Sequence, residues 1–223
     1  MFNILDYING GLDISMYIAI DFTASNGVPS DPKSKHYIDR TNKRENAYEQ
    51  AIRLSAEILL EYDSDKQVPV YGFGAKIMFP GYYSAISHCF PCNGIPSDFI
   101  KSSEVGSIDG IMGVYTYAIN NIELNGPTYF EPVSRRVLKQ VIDQQLKNEY
   151  SYSFLLLVTD GLNDDMREMI DFIVEASKHG LSIVIVGIGN ENFDNMKKLD
   201  AGNLTSKLGA NQERDICKFV PFE

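Results

Sequence analysis

Met16-Tyr17-Ile18-Ala19-Ile20, followed by Asp21-Phe22-Thr23-Ala24-Ser25, decides the fold. An unbroken apolar run bounded by polar residues reads as a strand buried on both faces of a parallel sheet. It ends in one carboxylate and two hydroxyls at alternate positions: Asp21, Thr23 and Ser25. Such an ending presents hard oxygen atoms at the carboxyl edge of the sheet, and hard oxygens suit Mg²⁺, Mn²⁺ or Ca²⁺. Phe154-Leu155-Leu156-Leu157-Val158-Thr159 repeats the pattern and runs into Asp160-Gly161. Ligands of open α/β sheets bind beyond the carboxyl ends of strands, where strand order reverses. Two such strands would bring Asp21 and Asp160 together.

Working outward, strands and helices alternate. Strands are expected near 14–21, 68–74, 152–159, 181–189 and 216–220, with a weaker antiparallel edge strand near 84–90. Helices are expected near 45–60, 107–121, 132–148, 164–179 and 192–199. Pro69 sits near the start of its strand, where a missing ladder donor is tolerated. The segment 26–41, rich in Gly, Pro, Ser and Asp, reads as a polar loop. Alternation of this kind predicts a doubly wound α/β fold: a mostly parallel six-stranded sheet with helices on both faces. No linker divides the chain, so residues 1–223 are expected to form one domain.

Composition narrows the function classes. The formal net charge of -10 opposes sequence-independent nucleic-acid binding, which needs a basic footprint, and attachment to anionic lipid. No apolar run approaches the roughly 20 residues that span a bilayer. The N-terminus lacks the basic and apolar regions of a secretory signal. Three cysteines, a low and odd number, fit a reducing compartment. A cytoplasmic protein is expected.

Other motifs read more plainly as structure. Cys89-Phe90-Pro91-Cys92, with His88 beside it, is half a zinc site with no second half, and reads as structural thiols in a loop. Gly187-Ile188-Gly189 has Asn192 where a dinucleotide fingerprint needs its third glycine, so it reads as a tight turn off a strand. The histidines at 36, 88 and 179 are scattered, and His179 suits a helix C-terminus. The mixed charges of 30–44, among them Lys33, Lys35, Asp39 and Lys43, read as a solvated loop, one that lies on the metal edge where it could shape partner choice. Asp164 and Asp165 read as helix-start residues. Gly126-Pro127 marks a turn, after which Thr128 is expected to open a helix and expose a hydroxyl beside the two strand ends.

The ordered set Asp21, Thr23, Ser25, Thr128 and Asp160 resembles the metal-ion-dependent adhesion site of von Willebrand factor A domains. More closely, Asp6-Tyr7-Ile8-Asn9-Gly10-Gly11, Asp21 through Gly27, Phe73-Gly74-Ala75, Gly126-Pro127-Thr128, Asp160-Gly161 and Lys218-Phe219-Val220-Pro221-Phe222 resemble the copine A domain. The resemblance covers nearly the whole chain. It implies a divalent cation (Mg, Mn or Ca) held by those five residues, and a non-catalytic protein-interaction module of a calcium-dependent phospholipid-binding protein. Partners would offer an acidic side chain to the metal. Membrane contact would come only through lipid-binding domains, which this chain lacks and whose absence implies a fragment or truncated relative.

Two other functions compete. Related plant ubiquitin ligases use the same domain to recruit substrates, but no RING-type cysteine series follows residue 217. A haloacid-dehalogenase-like phosphatase also places Asp after the first strand of an α/β sheet and uses Mg²⁺. It wants D-x-D, with the second Asp as acid/base, and Thr23 stands there instead.

Overall fold

The computed structural model describes residues 10–42, 44–63, 65–81, 85–95, 104–147, 150–161 and 163–222. Asp6 through Asn9, Lys43, Ser84 and Asn148, all used in the expectations above, lie outside the described residues.

The strand that opened the sequence argument, β1 (Asp13–Asp21), lies in the middle of the sheet. On one side it pairs with β2 (Val68–Phe73), which carries two short antiparallel neighbours. These come later in the chain, at Phe90–Pro91 and Glu104–Val105. On β1's other side follow, in parallel, the strands Ser151–Thr159, Leu181–Ile188 and Cys217–Phe222. Numbered along the chain, β3 (Ala75–Ile77), β4 (Ile86–Ser87) and β7 (Ile122–Leu124) form a separate small antiparallel sheet. The segments at 90–91 and 104–105 are then β5 and β6, and the long strands from 151, 181 and 217 are β8, β9 and β10. The expected edge strand near 84–90 is thus divided, with β4 in the small sheet and β5 on the edge of the large one.

The side-chain period of two builds a core on each face. Tyr17, Ala19, Leu155 and Leu157 face α3 (Glu131–Gln145), α4 (Met166–Ala176) and α5 (Asp194–Leu199). Met16, Ile18, Ile20, Leu156 and Val158 face α1 (Ala47–Leu59) and α2 (Ile108–Asn120). Burial on both faces is why these strands read as continuous apolar runs. Helix α1 starts with a capping box, in which Asn46 Oδ1 accepts the Glu49 N–H and Glu49 accepts the Asn46 N–H. Its Ile58 is 65% exposed.

Register levels the strand ends. Asp21 is opposite Phe73, Ile20 opposite Val158, and Thr159 opposite Gly187. The chain leaves β1 for β2 on one side, and the later strands fill the other. The crevice between the ends of β1 and β8 is therefore the place where strand order reverses.

Candidate metal centre

Asp21 closes β1 with no solvent exposure. Its Oδ1 accepts the Thr23 N–H at 2.8 Å and the Thr23 hydroxyl at 2.6 Å, while its Oδ2 accepts the Thr159 hydroxyl at 2.6 Å. Ser25, in a short 3₁₀ turn (Ala24–Asn26), donates its hydroxyl to Asp160 Oδ1 at 2.8 Å. Thr23 Oγ1 and Ser25 Oγ lie 3.0 Å apart. Four of the five expected residues thus form one continuous chain of oxygens across the ends of β1 and β8. Thr23 sits against Gly74, where a Cβ would be 2.2 Å from its Cγ2 and φ is +76°; only glycine fits there.

Thr23 lies within donating distance of Asp21 and Ser25 of Asp160, and either hydroxyl can be the donor across their 3.0 Å contact. Two carboxylates and two hydroxyls therefore converge on one small volume, a set of hard oxygens that suits a divalent cation. The oxygen spacings of 2.6–3.0 Å also match the about 2.9 Å between adjacent ligands of an octahedral ion held at 2.0–2.1 Å. Burial, and then the Asp160 charge, push the Asp21 carboxyl up to about 6 against the pull of its Thr159 and Thr23 hydrogen bonds. A divalent cation would relieve both causes, and the residues present fit one. Among the described residues no three His, Cys, Asp or Glu side chains are grouped to hold a metal, so an ion here would complete its shell with hydroxyl, carbonyl or water oxygens.

Thr128 behaves differently from expectation. It is 8% exposed rather than open, and it precedes α3 by three residues instead of capping it. It follows a cis Gly126–Pro127 bond, and its N–H and C=O are both held by Asp164. The cap of α3 comes from Asp165, whose carboxylate accepts the Phe130 and Glu131 N–H groups at 3.0 and 2.7 Å. Asp164 and Asp165 therefore fix the Thr128 loop and the start of α3, where sequence position had assigned them to the helix that follows them.

The loop that composition assigned to solvent contains the site's main support. His36 is fully buried, with Nε2 2.8 Å from the Asp21 carbonyl and Nδ1 2.8 Å from the Tyr115 hydroxyl. A carbonyl only accepts, so Nε2 carries the proton and Nδ1 accepts from Tyr115. Burial holds the ring neutral, with its pKa lowered to about 3. Asn26 accepts from the Tyr48 hydroxyl and donates to the Thr23 carbonyl. Lys35 reaches Asp160 Oδ2 at 2.9 Å. Sequence reasoning missed Thr159, Lys35 and His36. Thr159 carried a signal as the last residue of a strand that runs into Asp160, and Lys35 as one charge of a loop on the metal edge.

The cysteines are free thiols, and burial pushes the Cys89 thiol up to about 12, which makes it unreactive. His88 packs on Tyr129, its ring centroid 4.7 Å away. Gly189 turns off β9 at φ +88°, as the glycine pair had implied.

The sequence model of the copine family matches residues 34–223. This chain belongs to the copine family. Two relatives from Arabidopsis thaliana, Protein BONZAI 1 and Protein BONZAI 2, are 43% and 42% identical over 97% of it. This copine chain spans 36% of the length of each. Among solved structures it is similar to proximal thread matrix protein 1 from the mussel byssus, whose MIDAS motif is occupied by zinc. That likeness has a TM-score of 0.50 and 13% identity, covering 95% of this chain and 42% of the other. It carries the fold alone: a von Willebrand factor A-like doubly wound sheet.

Proposed function

We propose that this copine chain is a non-catalytic protein-interaction module that recruits partners through a divalent ion. Asp21, Thr23, Ser25 and Asp160 would hold the ion, with Thr128 contributing from the neighbouring loop. The observation that carries the reading is the unbroken run of oxygens from Asp21 through Thr23 and Ser25 to Asp160, with neighbours 2.6–3.0 Å apart. When bound, the ion supplies a concentrated positive charge to which an acidic side chain of a partner can bind. The chain's own part is to fix the oxygens in advance. His36 holds the backbone of Asp21, Thr159 holds its second oxygen, and Asp164 holds the backbone of Thr128. An acidic partner is otherwise repelled by a chain of net charge -10, so the local cation would decide where it docks.

Asp21 is poorly arranged to be a phosphatase nucleophile. It has no exposure, and its two oxygens accept three hydrogen bonds. Membrane recruitment would belong to parts of a longer copine. Among the described residues no helix is long and apolar enough to cross a membrane.

Calorimetric titration with Mg²⁺ and Mn²⁺ tests the reading, with circular dichroism as the check on folding. Asp21→Ala is expected to remove most ion binding from a folded protein. Unchanged affinity in the variant would sink the site assignment. A partner pull-down should weaken sharply in EDTA, and equal recovery would move docking to another face.

A further inference from the structure

Lys35 is built into the site's wall rather than lying on its surface. Its backbone N–H donates to the Asn26 carbonyl at 2.9 Å, so it is anchored to the residue that braces Thr23. Its stem crosses the end of β9, where a Cβ on Gly189 would come within 3.3 Å of Lys35 Cε. Its ammonium stands 2.9 Å from Asp160 Oδ2 and 3.4 Å from Glu191 Oε1. Asp160 is 1% exposed, Lys35 23% and Glu191 61%. The lysine therefore spans two carboxylates, one inside the candidate metal centre and one in solvent at its rim.

We propose that Lys35 is an internal counter-cation that competes with the divalent ion for Asp160 and so sets the ion affinity of the site. The inference rests on the metal-centre reading above. Asp21 and Asp160 bring two negative charges, and Lys35 returns one of them. An incoming divalent ion meets a site already half neutralised and must share Asp160 with a positive neighbour. Glu191 lies within reach of the same ammonium and gives it a second partner when Asp160 turns to the ion. Without Lys35, both carboxylate charges would be available.

The test titrates chelator-stripped wild type, Lys35→Met and Lys35→Arg with Mn²⁺ by calorimetry, and measures the ion-free stability of each. Removing a unit charge beside a divalent ion should tighten Lys35→Met by about tenfold, while Lys35→Arg stays near wild type. Ion-free Lys35→Met should also be less stable, because Asp160 is then buried without its partner. A lysine with only a structural role would lower affinity and stability together. Ion binding by Lys35→Met alone supports competition in its strongest form. Equal affinity in wild type and Lys35→Met overturns the role of Lys35 and leaves the metal centre standing. Absence of binding in all three overturns the metal centre, and this inference with it.

Discussion

His36→Phe isolates the hydrogen bonds that tie the polar loop to the sheet. Phenylalanine keeps the ring stacked between Tyr48 and Phe22, whose centroids lie 4.1 and 5.1 Å from that of His36. It removes the Nε2–H donor to the Asp21 carbonyl and the Nδ1 acceptor for Tyr115. The Tyr115 hydroxyl keeps Asn46 as a donor at 3.2 Å but loses the acceptor for its own proton. The Asp21 carbonyl keeps only a long contact, 3.5 Å, to Asn26 Nδ2. Two buried groups left short of partners should together cost about 2–3 kcal/mol. For a chain of 223 residues this lowers Tm by roughly 5–10 °C. His36→Ala also leaves a cavity and should cost about 4–5 kcal/mol. Urea unfolding followed by circular dichroism, with EDTA present so that ion binding does not contribute, measures both. A His36→Phe cost below about 0.5 kcal/mol, the usual range of surface substitutions, would refute the tether.

Asp165→Ala should destabilise by about 2 kcal/mol, because one carboxylate serves two N–H groups at the start of α3; chemical denaturation measures it. The same change should weaken ion binding, since it loosens the stretch that positions Thr128. Asp63 predicts a pH effect. Burial first, and then the Asp65 charge, raise its carboxyl from the usual 3.8 to about 6. Between those values the folded protein keeps a proton that the unfolded chain gives up. Its stabilisation is therefore full below about 3.8 and is lost as pH rises through about 6. Asp63→Asn should remove that slope, so the difference in urea midpoint between the two proteins should change across this window. A constant difference would show that Asp63 does not titrate there.

Some of this was legible because it is local. Asp21, Thr23 and Ser25 lie within five residues at a strand end, where the spacing of two and the short 3₁₀ turn that follows bring them together. Asp160 follows a second run of the same kind, and parallel register brings it level with the first. Long apolar strands gave the sheet, since burial on both faces leaves a continuous signal. What did not show was tertiary or too short. Strands β3, β4 and β7 have two or three residues each, less than a period needs to declare itself. Asp165 looked like the cap of the helix after it, yet it serves a helix whose start is 34 residues earlier in the chain. Neither the spacing nor the residue type distinguishes those two uses.

The loop after Ser25 shows why composition misled where periodicity did not. Its charged residues were counted as solvated, and the segment as a whole as a polar loop. A loop folded over the carboxyl edge of a sheet covers carbonyls and carboxylates that strand pairing does not satisfy, and apolar residues cannot satisfy them. Asn26 braces Thr23, His36 caps the Asp21 carbonyl, and Lys35 neutralises Asp160. Ser34 holds the loop's own turn by donating to the Asn26 carbonyl and accepting from the His36 N–H. These polar residues are buried because they are polar. The oxygen chain is consequently supported from two sides, by strand register below and by this loop above. Substitutions in the loop that preserve polarity but change donor or acceptor identity should disturb the site more than their position outside the strands suggests.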